Sequence, residues 1–226
     1  LTLIQSIFGI GILVFGTPLL LLLGLSFADT LLYLLPCSLM VSILQVRESG
    51  IAQSSPRQYL RYTVPGVFAG LGCAFYLFPQ LQLRTLVGLL LVGTAFIRVS
   101  ATARARLHAF SCRYASPYLL ALGIIHGMTN LGGGLLVIFC SARYADKTAL
   151  RNNVALGYLI LAGSQLLFLI PYAMDHLRPL QLLLPLLAGG MYLGIGRHLF
   201  RCTGCRTYNR LFTTLLLAMG CVLFIT

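Results

Sequence analysis

Carboxylates are nearly absent. Of 226 residues only Asp29, Glu48, Asp146 and Asp175 are acidic, and each falls at the end of an apolar run. A carboxylate proton relay buried within those runs therefore has no candidate. The chain also lacks G-x-x-x-x-G-K-[ST], H-E-x-x-H and G-x-S-x-G, so nothing supports an ATPase or protease reading and the protein is not expected to be an enzyme. Cysteines number seven, an odd count, and Cys37, Cys73, Cys140 and Cys221 lie in apolar runs where they pack as small side chains. No disulfide framework and no cofactor is implied.

What is abundant is apolar sequence. The chain is 58% hydrophobic and 9% charged with a mean hydropathy of +0.92, far more apolar residues than a soluble core of this length needs. The long Leu/Ile/Val/Phe runs match helical spans of about 20 residues and not the alternation of a porin. The expected class is an all-α integral membrane protein, multi-pass in the cell (inner) membrane with the bilayer as its solvent. A net charge of +12 does not point to nucleic acid, because the 16 Lys and Arg lie in short gaps between apolar runs, where they set topology. The sequence opens on Leu1 directly in apolar residues, which implies an upstream piece and shows no cleaved signal peptide.

Eight candidate membrane segments can be drawn at 1–24, 27–46, 60–78, 83–100, 117–141, 152–171, 180–199 and 211–226. The basic stretch ATARARLHAFSCRYAS, residues 101–116, forms a natural midpoint. It divides the chain into a first repeat (1–100), a cytoplasmic connector (101–116) and a second repeat (117–226). The halves resemble each other: QSIFGIGILVFGTP then SFADT in the first, HGMTNLGGGLLVIF then RYADKT in the second, with VPGVFAG answering LPLLAGG. Eight full crossings would split the basic residues evenly between the two faces. If 117–141 enters the membrane and returns, fourteen of the sixteen fall on one face and only Arg84 and Arg178 on the other, as the positive-inside bias demands. If 1–24 does the same, each half is a glycine-broken segment plus three spans, and the halves are inverted repeats with their breaks near the midplane. The alternative is an ordinary kinked span at 117–141.

The polar residues of these broken segments carry the candidate chemistry. His126, Thr129 and Asn130 follow i, i+3, i+4 spacing on one helical face, just before Gly132, Gly133 and Gly134. Three glycines permit a turn and close approach of backbone to ligand, and the helix restarting beyond them presents free N–H groups at its positive end. That is an anion site without a fixed cation. Close helix packing is the structural alternative for these glycines. The first half offers Gln5, Ser6, Gly9, Gly11, Thr17 and Pro18 as counterpart, with Gln5 aligned to His126. Asn152 and Asn153 either cap the following helix or reach the site, whereas Ser164 and Gln165 read as glue between helices. His126 is the one ionisable group near the site able to titrate around neutral pH, hence the first suspect if transport is proton-coupled.

RHLFRCTGCR holds Cys202 and Cys205 as C-x-x-C with His198 upstream, and His108 and Cys112 lie in the other basic loop. No second C-x-x-C completes a zinc ribbon, so no metal site is assigned. A metal-ion permease or sensor using these thiols, and a membrane scaffold without substrate, remain the competing readings.

Taken together, QSIFGIGILVFGTPLLLLLG, GIIHGMTNLGGGLLVIFCSARYADKTALRNN and the closing LPLLAGGMYLGIGRHLFRCTGCRTYNRLFTTLLLAMG resemble the TauE/SafE family of membrane permeases, the sulfite exporters. The resemblance spans nearly the whole chain. The first half departs from the family in having only G-I-G at its break, and the second has no Pro soon after its glycines. The resemblance implies a secondary transporter moving small sulfur-containing or organic anions such as sulfite, sulfonates or sulfoacetate, driven by an ion gradient. It leaves the direction of transport open.

Overall fold

The structure, a computed structural model, describes residues 1–49, 56–77, 83–176, 178–202 and residue 214. Its described elements are all helical. They run α1 (Thr2–Phe8), α2 (Ile12–Leu22), α3 (Phe27–Ser49), α4 (Pro56–Gly72), α5 (Leu83–Val99), α6 (Ala101–Arg113), α7 (Ala115–Thr129), α8 (Gly133–Ser141), α9 (Lys147–His176), α10 (Pro179–Met191) and α11 (Arg197–Cys202). A π-helical turn follows α4 at Cys73–Leu77 and another joins α10 to α11 at Tyr192–Gly196.

Among the described residues three helices are long and apolar enough to cross a membrane: Phe27–Glu48, Lys147–His176 and Pro179–Cys202. The protein is a membrane protein. Its outward leucines agree, since Leu182 and Leu186 of α10 are 62% and 65% exposed on a face that only lipid tolerates. Helix α9 starts at Lys147, five residues earlier than expected, because the Asp146 carboxylate accepts from Ala149 N–H at 2.8 Å and caps it. Asn152 and Asn153 therefore lie inside the helix and do not cap it. The basic connector is itself helical: Ser100 Oγ accepts from Ala103 N–H at 3.2 Å to start α6, which turns 98° from α5. Apart from residue 214, the expected segment at 211–226 lies outside the described residues, as does the thiol of Cys205.

The two glycine-broken segments are each split into a pair of short helices that fold back on each other. A Cβ at Gly11 would stand 2.7 Å from Gln5 N, and one at Gly16 3.3 Å from the Leu1 side chain, so α2 runs back along α1. In the second pair, Tyr118 near the start of α7 donates to Leu135 O at 2.7 Å and stacks on Phe139. Arg143, just past α8, donates to Ser111 O at 2.7 Å. The two ends of segment 117–141 thus lie together, where an uninterrupted helix of 25 residues would part them by about 37 Å. The order short helix, break, short helix, long helix, helix with π-turn occurs twice, as α1 to α4 and as α7 to α10.

Two glycine pairs spaced i, i+4 hold α4 against α7. Gly66 and Gly70 meet Gly123 and Gly127 with Cα atoms of opposed glycines so close that a Cβ at Gly66 would stand 3.1 Å from Gly123 Cα. A Cβ at Gly70 would fall 2.2 Å from Ile124 O. Without a hydrophobic drive between helices in lipid, such backbone contact supplies the packing attraction. The long helices α3 and α9 form the centre, and the buried core around Leu13, Leu31, Leu35, Leu119, Leu122 and Tyr158 fills the space between them and the breaks.

Candidate functional site

At the first break α1 ends on Gly9 in the left-handed region, φ 73°, where a side chain would strain. Gln5, fully buried, then spends its whole amide on holding the turn. Its Oε1 accepts from Ile12 N–H at 3.2 Å, so the side chain caps the helix that restarts after Gly11. Its Nε2 donates to Ser38 O at 3.0 Å and lies 3.3 Å from Ser42 Oγ, both on α3. The Gln5 carbonyl accepts twice, from Gly9 N–H at 2.8 Å and from Gln45 Nε2 at 3.0 Å.

The second break repeats that scheme with different side chains. Helix α7 ends on Asn130 at φ 62°, the one non-glycine with positive φ among the described residues. Asparagine tolerates that conformation better than most. His126 Nδ1 accepts from Gly132 N–H at 3.2 Å, as Gln5 accepts from Ile12. The His126 carbonyl accepts from Asn130 N–H at 2.7 Å and from Gln165 Nε2 at 3.2 Å, as that of Gln5 does from Gly9 and Gln45. Because Nδ1 is the acceptor, the neutral ring carries its proton on Nε2.

The difference lies in what remains unpaired. His126 Nε2, Tyr158 Oη, Asn130 Oδ1 and Gln165 Oε1 are buried with no hydrogen-bond partner among the described residues. They sit together. The rings of His126 and Tyr158 are 6.0 Å apart, and a Cβ at Gly133 would fall 1.9 Å from Tyr158 Oη, so only glycine fits there. The first three residues of α8, Gly133, Gly134 and Leu135, have backbone N–H groups with no acceptor among the described residues. At the first break the corresponding leftover is the Gln45 Oε1 atom. Buried polar atoms without partners are rare, and four around one helix N-terminus require an account.

The other expected residues fall around these turns in different ways. Thr17 of α2 accepts from Asn130 Nδ2 at 2.8 Å and so joins the two breaks, as does Val14, 3.0 Å from a Cβ at Gly133. Thr129 faces its own backbone, donating to Ile125 O at 2.6 Å and accepting from Leu131 N–H at 3.3 Å. Gly134 abuts Thr94 of α5, at 2.4 Å for a Cβ. Asn153 returns its amide to Ala149 O at 2.8 Å, and Asn152 is buried beside it near the start of α9. Tyr158, Ser38, Ser42 and Gln45 carry no signal of their own in the sequence, and Gln165, which reads there as glue between helices, reaches the His126 carbonyl. One signal was present: Gln45 follows Gln5 by 40 residues and Gln165 follows His126 by 39.

Of the thiol cluster, Cys202 Sγ lies 3.6 Å from His198 Nε2 on α11. Among the described residues no three His, Cys, Asp or Glu side chains group as metal ligands.

The family model for the sulfite exporter TauE/SafE matches residues 1–223 of the chain. No curated protein and no solved structure matches it.

Proposed function

The chain belongs to the sulfite exporter TauE/SafE family, a family of membrane transporters, and on that footing we propose that it carries a small sulfur-containing anion through a site at the second break. The observation that carries this is the unpaired set beside α8. A sulfite or sulfonate has three oxygens to be satisfied. Tyr158 O–H, His126 Nε2–H and the free N–H groups of Gly133, Gly134 and Leu135 are donors of the kind it needs, and the positive end of α8 adds a favourable field. All four side chains are less than 1% exposed, so the conformation is closed at this site.

The twice-occurring order of helices around the breaks supports reading the halves as inverted repeats that alternate access. In this reading residues 1–100 and 117–226 are the two repeats, joined by the 101–116 connector on the cytoplasmic face, and the return of α8 along α7 supports a re-entrant hairpin. Gln5, Gly9 and Gly11 then serve as the frame of the first break, while Thr17, His126, Asn130 and Gly132 to Gly134 contact or shape the site together with Tyr158 and Gln165. Asn152 and Asn153 stand outside it. Protonation of His126 would remove the acceptor from Gly132 N–H and release the cap on α8, a direct way to couple a proton to the turn.

The test is sulfite flux into proteoliposomes. Wild type should transport, and His126→Ala should lose at least about tenfold, one hydrogen bond to a charged group being worth about 1.5–3 kcal/mol. His126→Gln copies the first break: it keeps the cap on Gly132 and should transport without the wild-type pH dependence. Undiminished flux in His126→Ala would remove this site from the pathway.

A further inference from the structure

An ionic cluster near the start of α9 is used by nothing described so far. Arg151 is 4% exposed, a charge the bilayer region tolerates only when matched. Its guanidinium stacks on the Phe200 ring at 3.6 Å and lies 3.6 Å from Glu48 at the end of α3. Glu48 also takes the Tyr192 hydroxyl and pairs with Arg201 at 3.7 Å. Lys147 Nζ stands 4.2 Å from the same Phe200 ring and donates to its carbonyl at 2.6 Å. Two cations therefore share one carboxylate, and a third, Lys147, stands against the same Phe200 ring as Arg151.

Position gives the cluster its meaning. The turn of the first break rests on this part of α9, since a Cβ at Gly9 would meet Arg151 O at 3.4 Å and Val154 at 3.1 Å. Arg201 is 74% exposed, Glu48 27% and Arg151 5% by side chain, so the three form a gradient from solvent to interior with the carboxylate between. If Glu48 left Arg151 it would keep Arg201 as a solvated partner, while the buried Arg151 would favour an incoming anion in its place.

We infer that Arg151 is a fixed cation for the transported anion and that Glu48 is its resident counter-ion, displaced when an anion arrives from the basic face. This rests on the anion-transport reading above. A guanidinium fork accommodates two oxygens of a sulfite or sulfonate as it does those of a carboxylate, so the exchange keeps Arg151 charged and paired throughout. The fixed cation that the glycine-break motif lacks is thus supplied by α9.

The full-length protein in nanodiscs, titrated with sodium sulfite and read by thermal shift and by calorimetry, tests this. Glu48→Gln removes the competitor and should tighten sulfite binding at least fivefold. Glu48→Asp, which keeps the charge but shortens its reach, should move affinity the same way by a smaller factor and covers the case in which Glu48→Gln does not fold. The double variant Arg151→Gln with Glu48→Gln leaves no buried charge to destabilise the fold, and should bind sulfite at least tenfold more weakly than wild type. A double variant with wild-type affinity, or a Glu48→Asp protein whose affinity falls, overturns the counter-ion role while leaving anion transport standing. Absence of any sulfite binding or flux in the wild type overturns both.

Discussion

The two breaks share one backbone scheme and differ in how they use their polar atoms. At each, a side chain from the first short helix caps the second, and a glutamine from the long helix that follows reaches the carbonyl of that same residue. Gln5 then closes its remaining valences on Ser38 and Ser42 of α3. His126 faces Tyr158 instead, and both keep a polar atom unpaired. One scheme thus yields a turn whose side chains pair with one another and a turn that leaves His126 Nε2 and Tyr158 Oη unpaired. In a low-dielectric interior that choice is consequential, because an unpaired buried group is costly until something pairs with it.

The strongest way to break the comparison is to remove both capping side chains in turn. Gln5→Leu strands Ile12 N–H and two serines, and interhelical bonds in membranes average roughly 0.6 kcal/mol with a maximum near 1.7, so it should cost about 2 kcal/mol of stability. Flux per folded molecule should survive. His126→Leu should show the reverse balance, with transport lost well beyond what its thermal stability explains; equal behaviour of the two variants would mean the breaks are not functionally distinct. A smaller effect separates the packing around them. Gly70→Ala drives a methyl against the Ile124 backbone carbonyl and should cost about 1–3 kcal/mol by overpacking. Gly196→Ala meets the buried Ser6, whose Cβ would stand 2.6 Å away, and should likewise cost about 1–3 kcal/mol, both read from chemical or thermal denaturation in detergent. The finest probe is Tyr158→Phe. It deletes a buried hydroxyl that has no partner, so stability should hold or rise slightly while sulfite affinity falls about tenfold, the worth of one charge-assisted bond. A loss of stability without a loss of affinity would return Tyr158 to the packed core.

Much of the fold is legible from particular residues. Gly9 and Gly132 to Gly134 mark the breaks for different reasons: Gly9 turns the chain at φ 73°, whereas the second turn falls on Asn130 at φ 62° and Gly132 to Gly134 allow the close approach of His126, Tyr158 and Thr94. The fourteen-to-two division of basic residues led to the expectation that 117–141 folds back, and Tyr118 bonded to Leu135 O and stacked on Phe139 places its two ends side by side. The start of α9 was misread because Asn152 and Asn153 are good caps by type, whereas Asp146, nearer the loop, caps first. Tyr158 was missed for a physical reason. In a helix that is apolar on every face, no hydrophobic period tells which side turns inward, so a lone tyrosine hydroxyl cannot be assigned to site or lipid interface from its neighbours in sequence.

The sequence by itself determined the solvent, the helical class, the position of both breaks and that Gln5 and His126 are the polar residues beside them; that the two side chains cap the restarting helices came from the structure. Those follow from local chemistry: apolar length, glycine freedom and the type of side chain within one turn of the break. Tertiary structure decided which break keeps unpaired polar atoms and which carboxylate stands beside Arg151. Both depend on partners from distant helices: Ser38 and Ser42 of α3 lie 33 and 37 residues from Gln5, and Glu48 reaches Arg151 only because α3 packs on α9. Whether a buried polar atom is paired is a property of the neighbours that packing brings to it, and no stretch of chain carries those neighbours with it.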